Sequence, residues 1–272
     1  MKKFCLILGI LVAGRSAATP AGYRYTAGGR AAALGGIATP VTDSWSAFNN
    51  PAGTAFLPSA CVMAGAVNSF LLPELTVESL GLALPLRRGA FGLTAGRSGD
   101  DRYSEISATV SFSLKLAKKF SAGVRIGYLR TRTGQGYGSR NGLLCETGLL
   151  YQASRTLTVG IRLLNPVPFK LSARSGIALP TTLSAGISAT ITDGFILSAE
   201  AVRETGYPIQ VRTGAELRLV RSAYIRTGFS SAPALFTFGG GLLMGRITID
   251  IASGYHPVLG FSPAVSLSYS FR

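Results

Sequence analysis

Chemistry-bearing side chains are scarce in this chain. Its 272 residues include one histidine, three cysteines and one tryptophan, and twelve carboxylates stand against twenty-seven lysines and arginines. The single histidine, His256, lies in "GYHPVLG" with no evident acid partner. A nucleophile would lack a positioned base and a metal would lack a His/Cys cluster, so an enzyme, a cofactor and a metal site are not expected. Asp100-Asp101 reads as a solvated turn. The cysteines are too few for a disulfide framework; Cys61 and Cys145 sit in apolar patterns and read as unpaired small hydrophobes. The net charge of +15 does not imply nucleic acid, because basic residues are scattered singly along most of the chain without a stripe.

Long apolar runs are missing too, except at the start. Lys2 and Lys3 precede an apolar stretch from Phe4 to Gly14, and Ser16-Ala17-Ala18 offers small residues for cleavage near Thr19. Residues 1–18 therefore read as a secretory signal peptide. Cys5 lies inside the apolar stretch rather than after it, so it reads as filler and not as a lipid attachment site. Beyond it nothing approaches the roughly 18–20 unbroken apolar residues of a transmembrane helix. Yet the chain is 47% hydrophobic, with a mean hydropathy of +0.34 and 34 glycines.

Those hydrophobic residues alternate. In "EISATVSFSLKLA", Ile106, Ala108, Val110, Phe112, Leu114 and Leu116 share one face and Ser107, Thr109, Ser111, Ser113 and Lys115 the other. Period two predicts strands, and about fourteen such runs follow from residue 60, including 75–86, 103–116, 120–130, 143–153 and 263–271. Short connections ("PLRRG", "AKKF", "QASRT", "TDG", "VRS", "MGR") alternate with generally longer ones, such as "NSFLLPE" and "NPVPFKLSARSGIALP". Loops sorted in this way predict an all-β, closed antiparallel transmembrane barrel of about fourteen strands over residues 60–272, with both termini on the short-turn, periplasmic side.

The faces agree with a lipid-exposed exterior. A mid-strand Arg or Lys facing lipid costs roughly 2–4 kcal/mol. Arg125, Glu146, Arg162, Glu200, Arg212, Glu216, Arg226 and Asp250 all fall on the polar face, where four charges of each sign predict a paired lumenal network. Glu78 fits least, sharing a face with Leu80, Leu82 and Leu84 near a rim. Apolar-face aromatics sort to the two rims: Tyr128, Phe229, Phe236 and Tyr255 toward the long loops, and Phe91, Phe120, Tyr151, Phe195 and Phe271 toward the short turns.

Glycines on the polar face, among them Gly123, Gly148, Gly160, Gly186 and Gly214, leave room that another piece of chain can fill. Residues 19–59 lack strand alternation and are too apolar for a solvated tail, so they are the expected lumenal plug. Ile37, Trp45, Phe48 and Phe56 are the candidate apolar ligand contacts. In the corner Asn50-Pro51-Ala52-Gly53, Pro51 fixes its own φ and turns Asn50 away from helix, while Gly53 permits a tight exit toward the first strand. "GGRAAALGG" is no dinucleotide fingerprint, since no strand–turn–helix unit surrounds it.

Arg30 to Gly36 ("RAAALGG"), Asp43 and "FNNPAGTAFL" resemble the N-terminal hatch of the FadL/PorV superfamily of outer-membrane barrels. "GAELRLVRSAYIRTGF" (Gly214 to Phe229) is similar to a strand pair of PorV-like members, and "VSLSYSF" resembles the aromatic-terminated signal read by the barrel assembly machinery, although Arg272 follows Phe271. The resemblance implies the outer membrane of a Gram-negative-type bacterium, with lipid and lipopolysaccharide as surroundings. It also implies a non-enzymatic PorV/PorQ-type accessory of the type IX secretion system, engaging a translocon or cargo proteins. The alternative it implies is FadL-like transport of a hydrophobic small molecule.

Overall fold

The computed structural model describes residues 26–134, 138–166 and 179–271. The expected signal peptide and Arg272 lie outside the described residues. From residue 61 the chain forms fourteen strands: β1 (Cys61–Asn68), β2 (Thr76–Pro85), β3 (Gly89–Gly99), β4 (Tyr103–Ala117), β5 (Phe120–Thr133), β6 (Gly138–Gln152), β7 (Leu157–Leu164), β8 (Thr182–Thr192), β9 (Phe195–Glu204), β10 (Gln210–Val220), β11 (Ala223–Ser231), β12 (Ala234–Met244), β13 (Ile247–His256) and β14 (Gly260–Ser270). Each pairs antiparallel with its sequence neighbours, and β1 pairs with β14 from Cys61↔Ser270 to Val67↔Ala264, closing the ring. Closure leaves no unpaired edge.

Burial along the strands is inverted relative to a soluble protein. On β4, Ile106, Val110, Phe112, Leu114 and Leu116 are exposed, while Glu105, Ser111 and Ser113 are buried. Leu80 and Ile251 are each 63% exposed, whereas Glu146, Glu200, Glu216 and Asp250 are buried. Water would penalise so much exposed apolar surface, and a hydrocarbon surround would not. Cross-strand aromatic pairs mark both rims. Phe229–Phe236 and Tyr255–Phe261 lie at the long loops with ring centroids 5.1 Å apart, and Phe91–Phe112 at 4.9 Å lies toward the short turns.

Several strands outrun the apolar alternation. β5 reaches Thr133 and β6 begins at Gly138, so this hairpin continues past the expected ends at 130 and 143. Arg130↔Asn141 and Arg132↔Ser139 extend its ladder into polar sequence, because backbone pairing does not require apolar side chains once the strands leave lipid. Glu78 stands directly across from Arg97, which gives the ill-fitting carboxylate an opposite charge as its neighbour. The three register shifts (Lys115/Ala117, Thr190/Thr192 and Arg218/Val220) all fall at short turns. Between them the ladders are continuous.

The described chain before β1, residues 26–60, is compact and holds no strand. It forms a single helical turn α1 (Gly29–Ala33) and 3-10 turns at Ser44–Ala47 and Pro51–Phe56. Asp43 caps the first 3-10 turn by accepting the Trp45 N–H at 2.9 Å, and Ser46 Oγ accepts the Asp43 N–H at 3.1 Å. Pro51 occupies the first turn of the second, where its missing N–H is no loss.

Candidate functional site

Residues 26–57 touch the polar face of strands all around the ring, and the glycines make this possible. A Cβ on Gly148 would strike Asn50, one on Gly160 would strike Thr39, and one on Gly123 would lie 2.6 Å from the Ala52 nitrogen. At Gly186, Gly214 and Gly239 it would meet Pro40, Leu34 and Ala33 at 2.8–2.9 Å. Gly127 and Gly254 face Thr109 and Leu235 instead, so two polar-face glycines serve other packing.

Asn49 and Asn50 explain the corner. Asn49 accepts the Ala27 N–H at 3.0 Å and donates to the Ala27 carbonyl at 2.9 Å, imitating a backbone pair. Asn50 accepts from the Ala52 N–H at 3.1 Å and donates to the carbonyls of Thr39 at 2.8 Å and Leu149 at 3.3 Å. It thus ties three chain segments together while fully buried. Gly53 packs against Ser46, and the Ala52 carbonyl accepts a hydrogen bond from Ser121 Oγ at 2.8 Å.

The charges of the polar face form paired groups. Glu146 of β6 lies between Arg125 of β5 and Arg162 of β7, the latter at 3.0 Å. Glu200 of β9 pairs with Arg212 of β10 at 3.3 Å and accepts the N–H groups of Ala38 and Thr39 at 3.0 and 2.8 Å. Arg226 of β11 joins Glu216 of β10 and Asp250 of β13, both at 2.6 Å. Arg30 of α1 completes that group: it grips both Glu216 oxygens at 2.8 Å and reaches Asp43 at 3.4 Å. For Arg30, burial works against the charge, but Glu216 and then Asp43 overcome it and hold the guanidinium above its ordinary value. Burial raises the Asp43 carboxyl above its ordinary value, with Arg30 opposing. Arg125 also donates to the carbonyls of Ala47 and Phe48. Sequence alternation locates the strand charges but not Arg30 and Asp43 as their partners; their only signal is membership of the same short motif.

The four apolar candidates do not meet in one pocket. Ile37 is fully buried among Leu34 and Val41. Trp45 packs on Ala27, Cys61, Met63 and Ala83 with Phe48 tilted against it at 5.5 Å, and both line a space of only about 60 Å³. Phe56 lies under the Lys115 ammonium, 5.5 Å from the ring centre. A roomier cavity, about 390 Å³, opens where α1 and residues 35–36 approach the long-loop ends of β1 and β10 to β14. Ala32, Val67, Phe70, Pro233, Leu235 and Ala264 supply apolar walls, and Gln210, Arg212 and His256 stand at its polar side. Phe70 adopts φ 60°, the left-handed region, and donates its N–H to Ser262 at 3.0 Å. Its ring meets His256 edge-on at 6.1 Å, and His256 Nδ1 accepts the N–H groups of Val258 and Leu259 at 3.2 Å. Ser230 Oγ, buried in the lining, has no hydrogen-bond partner. None of these lining residues carries a recognisable motif, because the cavity is assembled from a residue or two of each of six strands, β1 and β10 to β14, and from the segment before β1. Cys61 and Cys145 are free thiols on separate strands. Among the described residues no group of His, Cys, Asp and Glu is placed to hold a metal.

An apolar exterior, a paired polar interior and full closure define the class: a fourteen-stranded barrel of the kind that spans outer membranes. No family model matches the chain, and no curated protein sequence does. Solved structures do. The chain is similar to the toluene transporter TodX of Pseudomonas putida (TM-score 0.73, 12% identity, covering 93% of this chain and 100% of that one). It is similar to the CymD monoaromatic hydrocarbon channel (0.71, 16%, 90% and 97%) and to a FadL homologue of Pseudomonas aeruginosa (0.65, 16%, 93% and 99%). These neighbours are FadL-family outer-membrane channels, and at these identities the likeness is one of fold.

Proposed function

We propose that the protein is an outer-membrane channel for small hydrophobic molecules, its lumen stoppered by residues 26–59. The observation that carries this reading is the cavity of about 390 Å³ beside α1, apolar on most sides, with Arg212, Gln210 and the unpartnered Ser230 hydroxyl at its edge. Its size suits a compact solute, and its few polar groups would orient one end. The stopper is supported by the glycine contacts around the ring and by Arg30, Ala38 and Thr39 bonding to Glu216 and Glu200. Both pore sealing and a binding surface then come from the same segment.

The named neighbours are a toluene transporter and a monoaromatic hydrocarbon channel, and they favour transport over the PorV/PorQ-type secretion reading that the sequence resemblance implied. Under this proposal the barrel inserts through the assembly machinery by its C-terminal strand, with outer-membrane lipid around it. A hydrophobic fluorophore such as N-phenylnaphthylamine, titrated into the detergent-solubilised protein, should bind saturably and be displaced by toluene. Gly254→Leu, which places its side chain beside Leu235 in the cavity, should weaken that binding about tenfold while leaving the barrel folded. Toluene uptake by a deletion strain equal to that of its parent, or unchanged dye binding in Gly254→Leu, defeats the reading.

A further inference from the structure

In the chain the basic residues look scattered; in the barrel they are sorted. Among the described residues, the ten charges of the paired groups, eight on the strands and two within residues 26–57, are five of each sign. At the long-loop rim six arginines stand against six carboxylates. The short-turn rim is different. Arg87 and Arg88 lie between β2 and β3, and Lys115, Lys118 and Lys119 at the β4–β5 turn. Arg155 follows β6, Arg218 and Arg221 flank the β10–β11 turn, and Arg246 lies between β12 and β13. Nine exposed cations thus face a single carboxylate there, Asp193, so this rim carries the entire excess positive charge of the described residues.

We infer that the short-turn rim is a cationic collar that engages anionic phospholipid headgroups of the leaflet it borders. Five of the six short connections contribute, so the charge encircles the perimeter, as annular lipid does, rather than forming the one-sided patch a protein partner would occupy. The depth is right as well. Phe91, Phe120, Tyr151 and Phe271 lie on the apolar face at this end, and interfacial aromatics mark the headgroup level. Arg246 reaches the Tyr269 hydroxyl at 3.4 Å and Lys119 the Ala153 carbonyl at 3.3 Å, contacts that hold long side chains at the rim. Lysines and arginines at that level attract anionic headgroups within a screening length. The paired interior and the balanced opposite rim offer no such field.

The test uses the full chain in phosphatidylcholine vesicles, with spin-labelled phosphatidylglycerol or phosphatidylcholine as the reporter of lipid in contact with the protein. Labelled phosphatidylglycerol should be enriched about threefold over phosphatidylcholine, and the enrichment should vanish in about 1 M salt, where screening is complete within a few ångströms. A variant with Arg87, Arg88, Lys118, Lys119, Arg155 and Arg221 each changed to Gln should lose the preference. A matched variant with Arg97, Arg102, Arg130, Arg132, Arg140 and Arg203 changed to Gln should keep it, and heat-dependent gel mobility checks that both are folded. Equal association of the two lipids, insensitivity to salt, or equal loss in both variants overturns the inference. So does displacement of the lipid by millimolar inorganic phosphate, which would mark isolated anion sites. Retention on polyglutamate without any lipid preference would assign the collar to an acidic polypeptide and overturn it as well.

Discussion

Asn50 and Glu146 show how single side chains hold the N-terminal segment and the wall. Asn50 makes three hydrogen bonds while fully buried, and Ala would leave a donor or acceptor unsatisfied in each of the segments it joins. Each such group costs about 1–3 kcal/mol. Asn50→Ala should therefore expose residues 26–59 to protease in detergent while the barrel band persists on gels; equal protection would deny Asn50 that role. Glu146 is the shared counter-charge of Arg125 and Arg162. Removing one member of a buried ion group costs about 3–5 kcal/mol, since uncompensated charges remain. Glu146→Ala should lower the urea midpoint of unfolding clearly, whereas Glu146→Leu combined with Arg125→Leu and Arg162→Leu should recover much of the loss. A triple variant no better than the single one would mean that packing, not charge, sets the cost.

At the level of elements, legibility followed periodicity. β4 was readable because six apolar residues alternate with polar ones over its length, and lipid on one side demands that pattern. The far ends of β5 and β6 were not, since Arg130 to Thr133 and Gly138 to Gly142 are polar in sequence and continue the ladder outside the apolar band. The apolar candidates of residues 19–59 illustrate a second limit. Ile37 and Trp45 are as hydrophobic as any pocket residue, but composition cannot separate side chains that fill space from those that border it. The cavity instead draws on Phe70, Leu235 and Ala264, which alternation alone would place on strands or loops without distinction. The 26–57 segment itself makes a testable element. Deleting it should raise single-channel conductance in planar bilayers several-fold, because the glycine-lined face it contacts would fill with water. Unchanged conductance would place the segment's influence outside the pore.

The whole molecule should behave as a closed barrel in detergent. Unheated samples in SDS should migrate as a compact β-rich band and boiled ones as the extended chain; a single band under both conditions would contradict closure through β1 and β14. That closure also orders biogenesis in time. Gly29 donates its N–H to Ser266 at 2.8 Å, Thr237 donates to the Ala33 carbonyl at 2.7 Å, and Arg30 pairs with Glu216, so α1 bonds to strands that are synthesised late. Contacts spanning some two hundred residues are slow to form. A nascent polypeptide halted before β10 already offers β5, β6 and β9 to Ala52, Asn50 and Thr39 but holds no partner yet for α1, so the leading segment docks back to front and α1 settles only as the last strands arrive.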